Sequence, residues 1–316
     1  TGLIPAMLDN YLTIKFVGIL ASLNFAGYLS GSIFSIFVKD INFKVYLYRF
    51  GIFLAISTTF ILAYSDNNTL WMIGRVLAGF AGAMCLIVGT SIVMQKLTIK
   101  SKTKAMGIHF SGIGFSILTT DLLARFVLSL NYSWRDSWAV LAVFAIILSL
   151  YSVYILSFDK EVKQNAVKVK FDISIFTPFV IVLIIAYFTE GVGFVVQATF
   201  LPDIINNLKG LEGYGSLTWT LVGVAGIPSC IIWMLLAHRF GSSNIIIIAL
   251  LLQAVGILIP AFSSNIYLNL LSGVLYGGTF IGLVALFMNL GGQLSRGNPV
   301  VLMGAMTSSY GIGQVI

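Results

Sequence analysis

The strongest constraint on the fold is a series of apolar runs, each about long enough to cross a lipid bilayer. Crossing about 30 Å of hydrocarbon takes about 20 helical residues. Of the 316 residues, 58% are hydrophobic and only 9% are charged, and the mean hydropathy is +0.99. The sequence therefore predicts an all-α membrane protein. Its apolar runs are 16–37, 46–65, 69–93, 106–130, 136–157, 174–200, 217–237, 244–263, 265–289 and 300–316.

The basic residues predict the orientation of the chain in the membrane. Lys and Arg are enriched in cytoplasmic loops. If the loop after the first run is cytoplasmic, the loops on that side hold most of the basic residues, including those of the linker 158–172. We interpret the net charge of +7 as a sign of topology rather than of nucleic-acid binding. We expect a multi-pass protein of a bacterial inner (cell) membrane, with the bilayer as its partner and no nucleic acid.

An internal repeat with an offset of about 198 residues predicts the architecture. An offset that spans six helices relates two halves by an axis along the membrane normal. The predicted parts are an N-terminal bundle at 1–157, a cytoplasmic basic linker at 158–172 and a C-terminal bundle at 173–316. We expect most of a first helix, the end of an eleventh and all of a twelfth to be missing. The matching pairs are Thr1 with Thr199, Asp40 with His238, Arg75 with Gly273 and Met106 with Met303.

Several motifs resemble those of the major facilitator superfamily. The fourth-helix motif R-x-x-x-G-x-x-G is present as Arg75, Gly79 and Gly82. The family's cytoplasmic turn has a degenerate copy in "SGSIFSIFVKDINFK" and another in "LLAHRFGSS". The stretches "ASLNFAGYLSG" and "GVGFVVQATFLP" are most similar to the YbfB/YjiJ-like bacterial branch.

This resemblance implies both a fold and a function. The implied fold is two six-helix bundles related by a pseudo-two-fold axis, and the implied function is secondary active transport of a small organic solute by alternating access. The expected partners are that solute and protons, and we expect a monomer. Alternatives are an uncoupled facilitator, an efflux carrier, or a transport-dead receptor or assembly subunit. The residues of the two cytoplasmic turns, which gate the pathway in this interpretation, are Asp40, Lys44, His238, Arg239 and Gly241.

Arg75 is a charged residue inside an apolar run. Burying it in hydrocarbon costs about 2.5–3.5 kcal/mol on insertion scales, so it needs a partner. The resemblance implies that Arg75 faces the protein interior near a proton pathway, and it could instead snorkel to the outer surface. Asp121 is the expected partner, because its helix runs antiparallel to that of Arg75. Arg125 competes for Asp121, since it lies one helical turn later.

Glu190 is the second ionisable residue near the middle of a run. Burial disfavours its ionised form, which makes protonation a switch for coupling. The alternative is a structural glutamate that stays protonated and hydrogen-bonded. Gly191 and Gly193 predict a loosened or discontinuous helix at this point. We expect Glu190, Arg75 and Asp121 to carry proton coupling.

Five polar residues within the runs are candidates for the substrate cavity, although hydrogen bonds between helices would explain them equally well. They are Asn24, Tyr28, Gln197, Tyr276 and Asn289.

Cofactor and enzyme chemistry are not expected. The sequence shows no phosphate-binding P-loop motif, so direct use of ATP is not expected. Its two histidines, His109 and His238, are far apart in sequence and do not predict a metal site. Cys85 and Cys230 lie in apolar runs and are expected to be small core residues with free thiols. We expect no cofactor and no catalytic residue.

Overall fold

The computed structural model describes residues 3–8, 12–38, 40–99, 105–158, 173–295 and 299–315. Within these residues the regular structure is helical throughout. A π-helical segment at Met84–Val88 joins α4 to α5, and a 3-10 turn at Ile173–Ile175 precedes α8. The helices are α1 (Ile4–Leu8), α2 (Ile14–Ile36), α3 (Ile41–Tyr64), α4 (Asn68–Ala83), α5 (Gly89–Ile99), α6 (Met106–Ser129), α7 (Trp134–Phe158), α8 (Pro178–Asn206), α9 (Tyr214–Phe240), α10 (Ser242–Phe262), α11 (Ile266–Leu294) and α12 (Val300–Val315).

The predicted runs all form helices. Among the described residues, nine helices are long and apolar enough to span a membrane, and α4 and α5 count as one of them. The tenth run forms α12, which has 16 described helical residues. The prediction of an all-α membrane protein is confirmed.

Short polar turns set the helix ends. The side chain of Asn67 accepts hydrogen bonds from the backbone N–H groups of Thr69 and Leu70, which begins α4. Asp40 caps α3 in the same way. Gly241 has φ of 88°, a conformation that favours glycine, and it ends α9 immediately before α10 begins.

The chain divides into two compact units, and each combines helices from both halves of the sequence. The α6/α9 unit comprises Thr1–Thr13, Lys104–Leu130 and Val192–Phe287. The α2/α12 unit comprises Ile14–Thr103, Asn131–Gly191 and Met288–Ile316. The linker residues 159–172 lie outside the described residues, so the predicted division into an N-terminal and a C-terminal bundle stays a prediction.

Glycines bring helix backbones into contact at positions related by the repeat. In the α2/α12 unit, a side chain at Gly79 would overlap the carbonyl oxygen of Asn24 on α2. In the α6/α9 unit, a side chain at Gly277 would overlap the carbonyl oxygen of Val222 on α9. Both residues of the second pair lie 198 positions after those of the first. The predicted repeat is thus present as the same backbone contact in each unit.

A second pair of contacts follows the repeat with an offset of 197. Gly114 on α6 packs against the backbone of Gly226 on α9 within the α6/α9 unit. The corresponding Gly311 on α12 packs against Leu29 on α2 within the α2/α12 unit. Because Gly114 and Leu29 belong to one half of the sequence and their partners to the other, these are contacts between the two halves. They have the reciprocity that a two-fold repeat requires.

Candidate functional site

Glu190 is buried near the middle of α8, with 4% of its surface exposed. It lies twelve residues from the start of the helix, which is about 18 Å along the axis. Contrary to the sequence prediction, α8 is continuous through Gly191 and Gly193. Gly191 instead allows close packing, because its position lies directly against the carbonyl oxygen of Tyr310 on α12. The flanking glycine therefore holds Glu190 next to α12 rather than loosening its helix.

Aromatic residues surround this carboxyl group. Tyr187, one turn before Glu190, stacks on Tyr310 with ring centroids 4.6 Å apart and an interplanar angle of 23°. Tyr187 is almost fully buried, and it interacts electrostatically with both Glu190 and Tyr28. Tyr28 projects from α2, so α2, α8 and α12 all contribute to the site. The result is a protonatable carboxyl group in a region with phenol hydroxyls nearby.

Small hydroxyl side chains join the same three helices. The hydroxyls of Ser32 on α2 and Ser308 on α12 share a buried hydrogen bond of 2.9 Å. Ser309 donates a hydrogen bond of 2.8 Å to the carbonyl oxygen of Ile184 on α8. These bonds fix the position of α12 relative to α2 and α8 and thereby the surroundings of Glu190.

Asp121 on α6 is paired with Arg125, one turn later in the same helix. The Arg125 Nε atom lies 3.1 Å from the Asp121 Oδ2 atom, and the hydroxyl of Thr220 on α9 donates to the same oxygen at 2.9 Å. A terminal nitrogen of Arg125 also donates to the carbonyl oxygen of Ser216 on α9 at 2.6 Å. Of the two partners considered for Asp121, Arg125 forms the ion pair, and the network ties α6 to α9.

Arg75 lies among α3, α4 and α7 of the α2/α12 unit. Its guanidinium carbon is 5.6 Å from the centre of the Trp138 ring, a cation–π contact. Within its own unit, no described carboxylate lies within ion-pair distance of Arg75. The backbone carbonyl of Arg75 accepts a hydrogen bond of 3.1 Å from Asn24.

The substrate-cavity candidates have different surroundings. Gln197 donates to the carbonyl oxygen of Ile257 at 3.2 Å, and Tyr276 is fully buried with its hydroxyl 3.5 Å from the carbonyl oxygen of Phe194. These two residues make the hydrogen bonds between helices that the sequence offered as an alternative. Asn24 makes a similar bond to α4, Tyr28 belongs to the Glu190 site, and Asn289 is 8% exposed.

The residues of the predicted gating turns lie at or near helix ends, and their role in gating stays a prediction. Asp40 caps α3 by accepting a hydrogen bond of 2.8 Å from the Phe43 N–H. Lys44 is only 1% exposed, and its ammonium donates to Ser91 on α5 at 3.1 Å. His238 and Arg239 are exposed in the last turn of α9, and Gly241 follows them in its left-handed conformation.

Two features of the structure have no signal in the sequence. The π-helical segment Met84–Val88 interrupts the fourth run within a uniformly apolar stretch. The stacking of Tyr187 on Tyr310 joins residues 123 positions apart, and neither tyrosine belongs to a motif.

Among the described residues there is no group of three or more His, Cys, Asp or Glu side chains that could hold a metal ion. Cys85 and Cys230 are free thiols.

Comparison with known proteins decides the family. A family model described as "Uncharacterised MFS-type transporter YbfB" matches residues 1–316. The chain belongs to this family of major facilitator superfamily transporters. This confirms the family that the motifs around Arg75 and Arg239 indicate, and it places the chain among transporters rather than enzymes.

Solved structures of other major facilitator proteins have the same fold. The human organic anion transporter MFSD10 (TETRAN) matches with 13% identity and a TM-score of 0.71, over 99% of this chain and 80% of that one. The nucleoside transporter NupG matches with 14% identity and a TM-score of 0.68, over 99% and 85%. The proton:xylose symporter XylE matches with 14% identity and a TM-score of 0.73, over 99% and 82%. The predicted major facilitator fold is confirmed.

Proposed function

We propose that this major facilitator protein is a secondary transporter that couples the movement of a small organic solute to protons through Glu190. The observation that carries the proposal is the burial of this carboxyl group at the middle of α8, against α12. A buried carboxyl group favours the neutral form, and its ionisation needs a change in its surroundings. Alternating access supplies such a change, because each state exposes a mid-membrane site to a different side.

The residues around Glu190 suit this role. A tyrosine hydroxyl can donate to an ionised carboxylate and accept from a protonated one, and Tyr187 lies one helical turn before Glu190 on α8. The Ser32–Ser308 hydrogen bond joins α2 of one sequence half to α12 of the other. A movement of one half against the other therefore acts directly on the helices that surround the carboxyl group. Proton binding and the position of α12 would then be coupled.

Asp121 and Arg75 remain candidates for the same pathway. Asp121 is 3% exposed and already has a cation, Arg125, at its carboxylate. Because its carboxylate already pairs with Arg125 and accepts from Thr220, Asp121 suits a fixed part of the α6–α9 contact better than a site that releases a proton in every cycle. Glu190 is for this reason the primary candidate.

The remaining parts of the proposal concern the solute and the location. Asn24, Tyr28, Gln197, Tyr276 and Asn289 are the candidate solute contacts, and their uncharged hydrogen-bonding groups suit a solute with hydroxyl or amide groups. The positive-inside distribution of Lys and Arg supports a bacterial inner membrane protein with residues 158–172 in the cytoplasm. We expect it to act as a monomer. Uncoupled facilitation, efflux and a transport-dead receptor or assembly subunit are the alternatives.

A proton-flux assay tests the proposal. The purified protein is reconstituted into liposomes that contain a pH-sensitive dye, and sugars, nucleosides and organic anions are added in turn. A coupled transporter should change the internal pH when its solute is added without any imposed gradient. Solute uptake without a pH change would support the uncoupled facilitator. Solute-dependent protection of an engineered cysteine without any uptake would support the receptor.

A further inference from the structure

A small cavity lies beside Arg75 inside the α2/α12 unit. Its volume is about 40 Å³, and α3, α4 and α7 all line it. The residues that line it include Arg75, Trp71 and Trp138, together with Thr58 and Ala78. One buried water needs a cavity of about 10–15 Å³ on the same kind of measure. The cavity therefore has room for a few waters or one small ion, but not for an organic solute.

Two hydrogen-bond donors in the wall of this cavity have no acceptor among the described residues of the α2/α12 unit. The Arg75 guanidinium makes no hydrogen bond to a described residue of its own unit, and no described carboxylate of that unit lies within ion-pair distance. The Nε1 atom of Trp138 is buried and has no hydrogen-bond partner among the described residues, and the residue as a whole is 9% exposed. By contrast, the Nε1 atom of Trp71 donates to the carbonyl oxygen of Ser65 at 2.9 Å.

The other polar groups of the cavity wall do not supply the missing acceptor. The hydroxyls of Thr58 and Thr59 both donate to the carbonyl oxygen of Ala55, and neither accepts a hydrogen bond from Trp138 Nε1. The face of Trp138 attracts the guanidinium, but a cation–π contact does not accept the N–H hydrogens in the guanidinium plane. A charged arginine in an apolar run normally pairs with an opposite charge.

From these observations we infer that the cavity binds a small monovalent anion, of the size of a halide ion. The anion would lie between the Arg75 guanidinium and the Trp138 Nε1–H and accept hydrogen bonds from both, since both residues line the cavity. The small size follows from the cavity volume of about 40 Å³, which is room for about three waters and suits a halide ion. The inference is independent of whether Glu190 carries a proton.

Binding of radioactive chloride to the purified intact transporter in detergent tests this inference. We expect saturable chloride binding at one site per chain, displaced by bromide and not by gluconate, which is too large for the cavity. Thermal unfolding should give a matching result, because a ligand of the folded state raises the melting temperature in a concentration-dependent way. Absence of saturable binding to the wild-type protein would overturn the inference and leave a cavity that holds water.

Two variants locate the site. Arg75→Gln should abolish saturable chloride binding. Trp138→Phe keeps the aromatic face but removes the Nε1–H, and loss of one hydrogen bond to a charged ligand should weaken chloride binding about tenfold or more. If Arg75→Gln does not fold, Trp138→Phe alone decides the matter. Chloride affinity unchanged in Trp138→Phe would contradict the proposed site.

Matched controls separate this site from general effects of salt. Arg135→Gln removes a nearby arginine that is paired with Asp66 and lies outside the cavity wall. Trp219→Phe makes the same aromatic change in α9, in the other unit. Both controls should keep the wild-type chloride affinity. An equal loss of affinity in Arg135→Gln would show that chloride only screens surface charge and would overturn the inference.

Discussion

The carbonyl group of Tyr310 on α12 lies directly against Gly191 on α8, in the space that a side chain at position 191 would occupy. This contact holds Glu190, the preceding residue, close to α12. The packing and the proposed coupling site thus depend on the same pair of helices.

The Gly191–Tyr310 contact predicts a specific loss of stability in Gly191→Ala. The added methyl group would push α8 away from α12, and overpacking of this kind costs about 1–3 kcal/mol. Gly193→Ala is the matched control, since a Cβ there would lie 3.5 Å from the Ile257 side chain, an ordinary contact distance. Thermal unfolding of the purified protein in detergent should show a lower midpoint for Gly191→Ala only. Equal midpoints for the two variants would contradict the close packing.

The repeat predicts that Gly79→Ala and Gly277→Ala have similar effects. Each places a methyl group against a backbone carbonyl of the neighbouring helix, Asn24 in one case and Val222 in the other. We expect each to lower the free energy of unfolding by about 1–3 kcal/mol. Chemical unfolding of the two variants measures this directly.

The controls for the repeat are glycines in the same two helices. A Cβ at Gly82 would lie 3.6 Å from Tyr28, and one at Gly278 would lie 3.9 Å from Ala225. Gly82→Ala and Gly278→Ala should therefore keep wild-type stability. If Gly79→Ala were tolerated while Gly277→Ala were not, the two contacts would not be equivalent.

The Asp121–Thr220 hydrogen bond predicts an energetic link between α6 and α9. Asp121→Asn and Thr220→Val should each destabilise the protein, and the double variant should cost less than their sum. The expected interaction energy is about 0.5–3 kcal/mol, since the residues share one hydrogen bond and one ion-pair network. In the control cycle, Thr119→Val takes the place of Thr220→Val. The Thr119 hydroxyl donates only to carbonyl oxygens of its own helix, so its loss should be additive with Asp121→Asn. Strict additivity of Asp121→Asn and Thr220→Val would argue against the link.

The sequence predicts the fold well because the bilayer imposes a simple rule. Each apolar run must form a helix that satisfies its own backbone groups, so the ten runs could be read directly as helices. The repeat was also readable, because Gly79 and Gly277 are needed at equivalent backbone contacts. The family followed from the motifs around Arg75 and Arg239, and the family model confirms it.

The surroundings of individual side chains were less predictable. Residues that face lipid and residues that face other helices are both apolar here, so periodicity does not reveal how a helix is rotated. For this reason the sequence leaves two alternatives for Asp121, pairing with Arg75 or with Arg125, and it does not predict the contact of Arg75 with Trp138. The expectation of a broken helix at Gly191 was wrong, because glycine serves close packing as well as flexibility.

Accumulation of solute driven by a pH gradient tests the central claim, that Glu190 carries the coupled proton. Glutamine mimics a protonated glutamate but cannot release a proton, so Glu190→Gln should abolish gradient-driven accumulation while exchange of solute across the membrane survives. Glu212→Gln, an exposed glutamate between α8 and α9, is the matched control and should accumulate solute like the wild type. The measurement is uptake by the intact protein in liposomes, with and without the gradient. Wild-type accumulation in Glu190→Gln would contradict the account.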